Sequence, residues 1–367
     1  MLATENAVAS IVFVPFLGWT PEVGPRLKAH PTARIVGRTH IGSDCVLDAC
    51  ATIRGDGERI EIGDYCWFGR HATVHVAHHT SPTRIGLGVT VGPGAVIHAA
   101  DIADEVVIGE GAVVMDGAIV GKGAVIAHDA LVLPGKVLEG EMLYAGAPAL
   151  PVRRLNRSEI DVYRQTERLS ESEPKKHGAK MSPRPPVISL PRGDRVLICD
   201  NVRVEGEIRL DVDVSLWYGT TLSNPNGRIE IGARSNIQDN AVVQLDGESV
   251  LLIGQGVTVG HNATLEASQI MDGALVGMGA HVTHGTIIEE GACLAAGAVT
   301  RRNAVVRRGM LWAGRPARPI RMLTEEERAD SLWNLNIYCD EYLNAYAATL
   351  AGGLRSFYER RAQWDTY

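Results

Sequence analysis

The chain has 367 residues, enough for two domains that each bury a core, and its 45% hydrophobic and 22% charged residues are ordinary for a soluble protein. A formal net charge of −7 without a basic stripe argues against a nucleic-acid partner. No segment approaches the roughly 18 apolar residues that cross a membrane. The six cysteines follow neither a disulfide nor a thiolate–zinc spacing, which predicts buried thiols and a cytoplasmic protein.

A short repeat begins after a mixed N-terminal lead-in. Aliphatic–Gly pairs recur at six residues or near-multiples of six, most clearly at 86–97, which read Gly-Leu-Gly-Val-Thr-Val-Gly-Pro-Gly-Ala-Val-Ile. Glycine at this frequency excludes a helix, because each costs about 1 kcal/mol relative to Ala. A six-residue period is typical of a parallel β-helix, in which each repeat is one short strand and one turn.

The repeat occurs in two segments, and each is expected to end in a helix. The first predicted helix, 158–169, is short and charged. The second, 324–350, begins with a capping box of Thr324 and Glu327, and its tyrosines at every fourth position (Tyr338, Tyr342 and Tyr346) predict a packing stripe. The predicted boundaries are a lead-in at 1–32, a first β-helix domain at 33–170, a Pro-rich linker at 171–190, a second β-helix domain at 191–350 and a tail at 351–367.

The two segments are copies of one another. Ile-Glu-Ile-Gly at 60–63 returns at 229–232, and the copies stay in step at an offset of 169, then 168, as far as Gly146-Ala-Pro-Ala and Gly314-Arg-Pro-Ala. The aligned copies retain different histidines: His75 and His98 lie opposite Gln244 and Glu266, whereas His261 lies opposite Pro93. Neither copy has all three histidines, but the two together do.

Several short motifs resemble those of γ-class carbonic anhydrases over roughly 33–170 and 195–350. They are the hexapeptide repeats, Arg-Gly-Asp at 54–56, Gln-Asp-Asn at 238–240, Gly-His at 260–261 and the closing Gly-x-Pro-Ala followed by a helix. The resemblance implies a mainly β fold of two tandem left-handed parallel β-helices, each followed by a C-terminal α-helix, in a homo-oligomer with trimer-like packing. In that family zinc or iron lies between neighbouring β-helices, held by two histidines of one and a third of the next.

The chain departs from the family pattern in a complementary way. Arg-Gly-Asp is intact only in the first copy, since the second reads Ser-Asn-Pro at 223–225; Gln-Asp-Asn is intact only in the second, since the first reads Gly-Arg-His at 69–71. The resemblance therefore implies one composite site for Zn²⁺ or Fe²⁺ with the ligands His75, His98 and His261. The opposite combination of Gln244, Glu266 and Pro93 would be inactive, because Pro has no ligating atom and Gln is a poor zinc ligand.

The resemblance also implies roles for the residues around the ligands. Arg54, Asp56 and Asp239 would order the site, Gln238 would hydrogen-bond the bound water or substrate, and Glu58 is a candidate proton shuttle. Among the other histidines, His71 is a candidate to face the site. His78 and His79 are expected in an exposed loop and His128 at an exposed corner. His281 and His284, three residues apart in the second copy, lie opposite Val113 and Asp116 of the first and are a weak candidate for a two-residue metal site.

Three imidazoles with an open fourth position make a hydrating or hydrolytic metal site, at which hydroxide attacks CO2 in the family. We therefore expect a metal-dependent lyase or hydrolase that acts on CO2 or on another small carbonyl or acyl compound, without a nucleic-acid or membrane partner. Three alternatives stay open. One is a CoA-dependent hexapeptide acyltransferase with His98 or His261 as its base. The others are a non-catalytic assembly subunit and, since each copy lacks ligands, a protein without metal.

Overall fold

The computed structural model describes residues 12–78, 81–169, 187–189, 195–245, 250–266 and 269–349. The chain divides into two compact units, Met1–His177 and Gly178–Tyr367. Each unit is a β-solenoid built from parallel strands that are mostly two or three residues long. The predicted mainly β, hexapeptide-repeat architecture is confirmed in both units.

Aliphatic side chains stacked from coil to coil explain the six-residue period. In the first unit Val91 pairs with Ile108, Ile97 with Val114 and Ile102 with Val120, so that one coil takes 17 or 18 residues. All six of these side chains are buried. Each coil thus places one aliphatic from each of its three strands in the core, and burying this apolar surface stabilises the stack.

The strands of each coil form three faces, here called A, B and C, and in the first unit two long strands, Arg34–Ile41 and Thr52–Ile62, run through both face A and face B. Face A also contains Phe13–Val14, Thr73–His75, Val96–His98, Val113–Val114 and Leu131–Val132. Face B contains Glu22–Val23, Thr83–Ile85, Asp101–Ile102, Ile119–Val120 and Val137–Leu138. Face C contains Lys28–Ala29, Val46–Leu47, Trp67–Phe68, Thr90–Val91, Val107–Ile108, Val125–Ile126, Met142–Ala145 and the antiparallel Leu150–Arg154.

The second unit repeats these faces, with Arg203–Leu210 and Thr221–Ile231 as its long strands. Its face A contains Val242–Gln244, Thr264–Leu265 and His281–Val282. Its face B contains Val187–Ser189, Val250–Ile253, Gln269–Ile270, Ile287–Ile288 and Val305–Val306. Its face C contains Leu197–Ile198, Ser215–Leu216, Asn236–Ile237, Thr258–Val259, Leu275–Val276, Cys293–Leu294, Met310–Gly314 and the antiparallel Ala317–Met322.

A helix follows the solenoid in each unit. In the first, α1 (Arg157–Leu169) begins one residue before the predicted start and buries Ile160 against Val107 and Val125 of face C. In the second, α2 (Glu325–Asn336) is followed by a π-helical turn, Ile337–Tyr342, and by α3 (Leu343–Thr349). The prediction of one continuous helix at 324–350 therefore missed the π-helical turn.

Two local predictions for the second helical region are confirmed. Thr324 Oγ1 accepts a hydrogen bond from the Glu327 backbone N–H at 3.1 Å, and Glu327 Oε2 accepts one from the Thr324 N–H at 2.9 Å, which is the capping box. The three tyrosines pack around Trp217, with ring centroids 5.2, 5.6 and 5.1 Å from the indole for Tyr338, Tyr342 and Tyr346. They bind the helical segment to the solenoid.

The expectation that every cysteine is buried is wrong for Cys293. The other five are buried, but Cys293 is only half-buried. It lies in a two-residue strand whose other member, Leu294, is fully buried in the core. Since successive side chains of a strand point to opposite faces, Cys293 points outward.

Over the described ranges, no helix combines the length and apolar character that crossing a bilayer requires.

Candidate functional site

The first candidate half-site is an outward column on face A of the first unit. Arg54 pairs with His75, and His75 pairs with His98, so the three residues occupy one register position on successive coils. Their strand neighbours Ile53, Val74 and Ile97 are completely buried. Burial of these hydrophobic residues sets the direction of the polar ones. Successive side chains of a strand point to opposite faces, so Arg54, His75 and His98 point away from the core.

A buried ion pair holds one end of this column. Arg54 Nη1 donates a hydrogen bond to Asp56 Oδ2 at 2.5 Å, and neither side chain is exposed. The other carboxylate oxygen of Asp56 lies 3.1 Å from His75 Nε2. Asp56 therefore joins the Arg-Gly-Asp element directly to His75, one of the candidate metal ligands.

Asp116 contacts the second histidine and was missed in the sequence. His98 Nδ1 lies 2.6 Å from Asp116 Oδ1, and the imidazole is largely buried while the carboxylate is half-exposed. A partial signal was present, because the register of 17 residues that pairs Ile97 with Val114 continues to His98 and Met115, and Asp116 is the next residue, at the turn. The coil length therefore places the acid to within one residue of the position beside His98.

The two imidazoles face each other through the ring nitrogens that lie away from their carboxylates. His75 Nδ1 and His98 Nε2 are 3.2 Å apart. A neutral imidazole carries one N–H, and in each ring the nitrogen beside a carboxylate is the one that donates. Two lone pairs therefore point at the same space. Two ligand atoms of a tetrahedral zinc site lie about 3.3–3.4 Å apart, since Zn–N distances are about 2.0–2.1 Å, so the spacing fits a bound ion.

The second candidate half-site lies at the corner between faces C and A of the second unit. His261 Nδ1 lies 3.1 Å from Asp239 Oδ2, and both side chains are almost completely buried. The backbone N–H of Tyr218 donates to Asp239 Oδ1 at 3.1 Å, which fixes the carboxylate. The carboxylate of Asp239 beside Nδ1 favours a proton on that nitrogen, which leaves Nε2 as the candidate ligand atom.

The side chain of Gln238 hydrogen-bonds to two residues at this corner. Its Oε1 accepts a hydrogen bond from the His261 backbone N–H at 3.2 Å, and its Nε2 donates to Asn236 Oδ1 at 3.2 Å. The side chain is buried together with Asn236. In these contacts Gln238 fixes the backbone of His261. The sequence predicts a different role, a hydrogen bond to the bound water or substrate.

Face A of the second unit has a different polar pair in the columns of His75 and His98. Gln244 Nε2 donates to Glu266 Oε1 at 3.2 Å, and Glu266 Oε2 lies 3.6 Å from His281 Nε2. Here an amide N–H meets a carboxylate, so the pair is complementary without an ion. The serine of the Ser-Asn-Pro element bonds to the neighbouring long strand, since Ser223 Oγ donates to Glu205 Oε2 at 2.7 Å.

The remaining predicted residues lie in several environments. Glu58 is half-buried on the long strand that carries Arg54, and its Oε2 accepts from the Arg59 N–H at 3.3 Å. His71 and His78 are partly buried, His284 is exposed, and His128 is half-exposed beside Glu167 of α1. His79 lies outside the described residues. Within the described ranges, the histidines that offer ligand atoms to a metal are His75 and His98 in the first unit and His261 in the second.

Comparisons with known proteins match about one copy at a time. Protein YrdA of Escherichia coli is 38% identical over 162 residues, covering 41% of this chain and 88% of that protein. A carbonic anhydrase of Geobacillus kaustophilus is 38% identical over 130 residues, covering 35% of this chain and 71% of that protein. An uncharacterized transferase of Bacillus subtilis, YtoA, is 53% identical over 133 residues, covering 36% and 78% respectively. No family model matches the chain.

Proposed function

Because the chain belongs to the γ-class carbonic anhydrase-like family of hexapeptide-repeat proteins, we propose that it is a metal-dependent lyase or hydrolase. Its substrate would be CO2 or another small carbonyl or acyl compound. The ligands of Zn²⁺ or Fe²⁺ would be His75 and His98 of the first unit and His261 of the second. The observation that carries the proposal is the 3.2 Å approach of His75 Nδ1 and His98 Nε2, whose other ring nitrogens each contact a carboxylate.

The environment of each ligand supports this assignment. Asp56, Asp116 and Asp239 each lie within hydrogen-bond distance of the second ring nitrogen of one proposed ligand. Such carboxylates orient a metal-bound imidazole and raise its basicity. Gln244 and Glu266, which occupy the corresponding columns of the other copy, satisfy each other instead.

A divalent metal in this set would supply a Lewis acid that generates hydroxide from water near neutral pH. The protein's own residues have separate tasks. Arg54 offsets the buried charge of Asp56, which in turn holds the N–H of His75. Gln238 keeps the backbone of His261 in place, and Asp239 puts a carboxylate oxygen 3.1 Å from its Nδ1. The carboxylates of Asp56 and Asp239 are completely buried. A buried carboxylate is stabilised by a positive charge nearby, which a bound metal ion would supply.

The composite ligand set can be tested by metal analysis of the purified full-length protein. We expect about one zinc or iron ion per chain, as a single site of three histidines would hold. His98→Ala and His261→Ala should each lower the metal content at least about tenfold, while the matched control His281→Ala should not, because it changes a histidine outside the ligand set. A His261→Ala protein with full metal content would show that the two copies do not share a site. Sedimentation analysis of the same samples would establish whether the chain forms the proposed homo-oligomer.

Acyl transfer is a second candidate, favoured by the 53% identity to an uncharacterized transferase. A histidine whose N–H is held by a carboxylate, as His98 is by Asp116, is also the arrangement of a general base. Calorimetric binding of acetyl-CoA and activity that survives metal removal would favour this candidate. A purified protein with neither metal nor acetyl-CoA binding, which co-purifies with fixed partners, would favour an assembly subunit.

A further inference from the structure

We propose that Asp116 is a positioning residue of the metal site, which keeps the proton of His98 on Nδ1 and so directs the lone pair of Nε2 towards the ion. The inference deepens the proposed function and rests on it, because it takes His98 as a ligand. Asp116 itself touches neither metal nor substrate in this assignment. It acts through His98, across the 2.6 Å contact between Oδ1 and Nδ1.

The fold holds Asp116 where it can set the proton of His98. Asp116 lies at a tight turn, and Gly117, the next residue, has a φ of 69°, in the left-handed region that glycine adopts readily. The Gly117 N–H donates to the Ala99 carbonyl at 2.7 Å, beside His98, and the Gly135 N–H donates to the Asp116 carbonyl at 2.8 Å. Backbone bonds to both neighbouring coils thus fix the turn that carries the carboxylate.

The need for Asp116 follows from the neighbouring imidazole. Asp56 places the proton of His75 on Nε2, so His75 Nδ1 is an acceptor. If the proton of His98 moved to Nε2, that N–H could donate to His75 Nδ1 across the 3.2 Å gap. The two rings would then satisfy each other, and metal binding would first have to break their hydrogen bond. Asp116 opposes this closed state because the acceptor it offers to Nδ1 is a charged oxygen, which makes a stronger hydrogen bond than a neutral one.

The second copy shows that the fold itself does not require the carboxylate. The position of His98 holds Glu266 there, and the position of Asp116 holds His284, so acid and imidazole have exchanged places. The turn is nevertheless kept, since Gly285 has a φ of 74°. The acid at position 116 therefore accompanies the imidazole at position 98, rather than the turn that both copies share.

The test compares Asp116→Ala and Asp116→Asn with the matched control Asp101→Asn, all in the full-length protein. Asp101 is a half-exposed acid of face B that pairs with Arg84. Two quantities are measured: the dissociation constant of Zn²⁺ by competition with a chelator, and the ¹⁵N shifts of the His98 ring in metal-free protein. We expect Asp116→Ala to weaken Zn²⁺ binding about 10- to 100-fold, the range for loss of such outer partners. Asp116→Asn should have a smaller effect because its amide oxygen can still accept.

The ring shifts separate positioning from a structural role. In the wild type the His98 proton should be on Nδ1, and in Asp116→Ala it should shift towards Nε2, with the urea midpoint of the metal-free protein unchanged. Unchanged Zn²⁺ affinity and unchanged shifts in Asp116→Ala would overturn the proposal. A wild type that binds no Zn²⁺ would overturn the proposed function together with the metal role of Asp116. The shifts would still report whether Asp116 sets the His98 proton, so the two failures are distinguishable.

Discussion

The buried ion pair of the first unit allows a stability prediction that does not depend on the reaction. Asp56→Asn, measured without metal, removes the charge that faces Arg54 while it keeps the size of the side chain. Both side chains of the pair are completely inaccessible, and Nη1 and Oδ2 are 2.5 Å apart. The substitution therefore removes the opposite charge that faces a completely buried guanidinium, which is costly where water cannot solvate the cation.

The magnitude follows from that separation and burial. At an effective dielectric constant of about 20, unit charges 2.5 Å apart attract by about 7 kcal/mol. Delocalisation over both groups reduces this upper bound, and breaking a buried pair by removing one partner typically costs about 3–5 kcal/mol. The pair Arg84–Asp101 is about half exposed and 3.1 Å apart, so Asp101→Asn should cost no more than about 1 kcal/mol.

Hydrogen exchange is the suitable assay, because a chain of two units need not unfold in one step. The opening free energy of Thr52–Ile62 should fall by about 3–5 kcal/mol in Asp56→Asn. The double variant Arg54→Met, Asp56→Leu should recover most of the loss, since apolar replacement of a buried pair is often neutral or stabilising. The reasoning is refuted if Asp56→Asn loosens this strand no more than Asp101→Asn does.

Three further predictions concern the second unit. Trp217→Ala should cost about 3–5 kcal/mol and raise hydrogen exchange in Ile337–Tyr342, because the tyrosines of that turn lose the indole on which they pack; unchanged exchange there would contradict the assignment, and Trp217→Phe is the milder control. Hydrogen bonding to Arg321 lowers the pKa of Glu327 from 4.5 to about 2, so its contribution to stability is present above pH 4.5 and is lost as the pH falls towards 2. Glu327→Gln should therefore flatten the acid side of a thermal-midpoint profile, and an unchanged slope would count against it. Burial raises the pKa of Cys293 to about 12, so its thiol should react slowly with iodoacetamide at pH 8, and rapid native-state alkylation would disprove this.

Much of the fold could be predicted from the sequence because each hexapeptide carries its own local signal. The segment 86–97 contains the inward aliphatics Val91 and Ile97 at six residues' separation, and both are buried in the expected register. The helix after each solenoid was predicted from charge pattern and capping residues, which are also local. The π-helical turn at Ile337–Tyr342 was missed because it coincides with the packing of Tyr338 and Tyr342 on Trp217, a contact over more than 100 positions of the chain.

The candidate site was predictable where a motif marks it and less so elsewhere. His75 and His98 were found from their columns, and the structure places them 3.2 Å apart. Asp116 belongs to no motif, and the coil length leads to its neighbour Met115, so the contact with His98 needed the structure. The bracing role of Gln238 depends on which backbone N–H its amide oxygen meets, here that of His261. Such side-chain contacts at a corner are set by packing rather than by the local pattern.

The geometry of a solenoid explains how two copies could diverge at these columns and keep one fold. The core is formed by inward-pointing residues such as Val74 and Val243, which are both completely buried. The residues beside them on each strand point outward and contribute little to core packing. His75 can therefore correspond to Gln244 without a change of register, since the strands Thr73–His75 and Val242–Gln244 pair alike with their long strands. The outward columns differ in polarity instead. In the first copy the outward column brings two imidazole nitrogens within 3.2 Å of each other, as the proposed cation site requires, whereas in the second the amide of Gln244 donates to the carboxylate of Glu266.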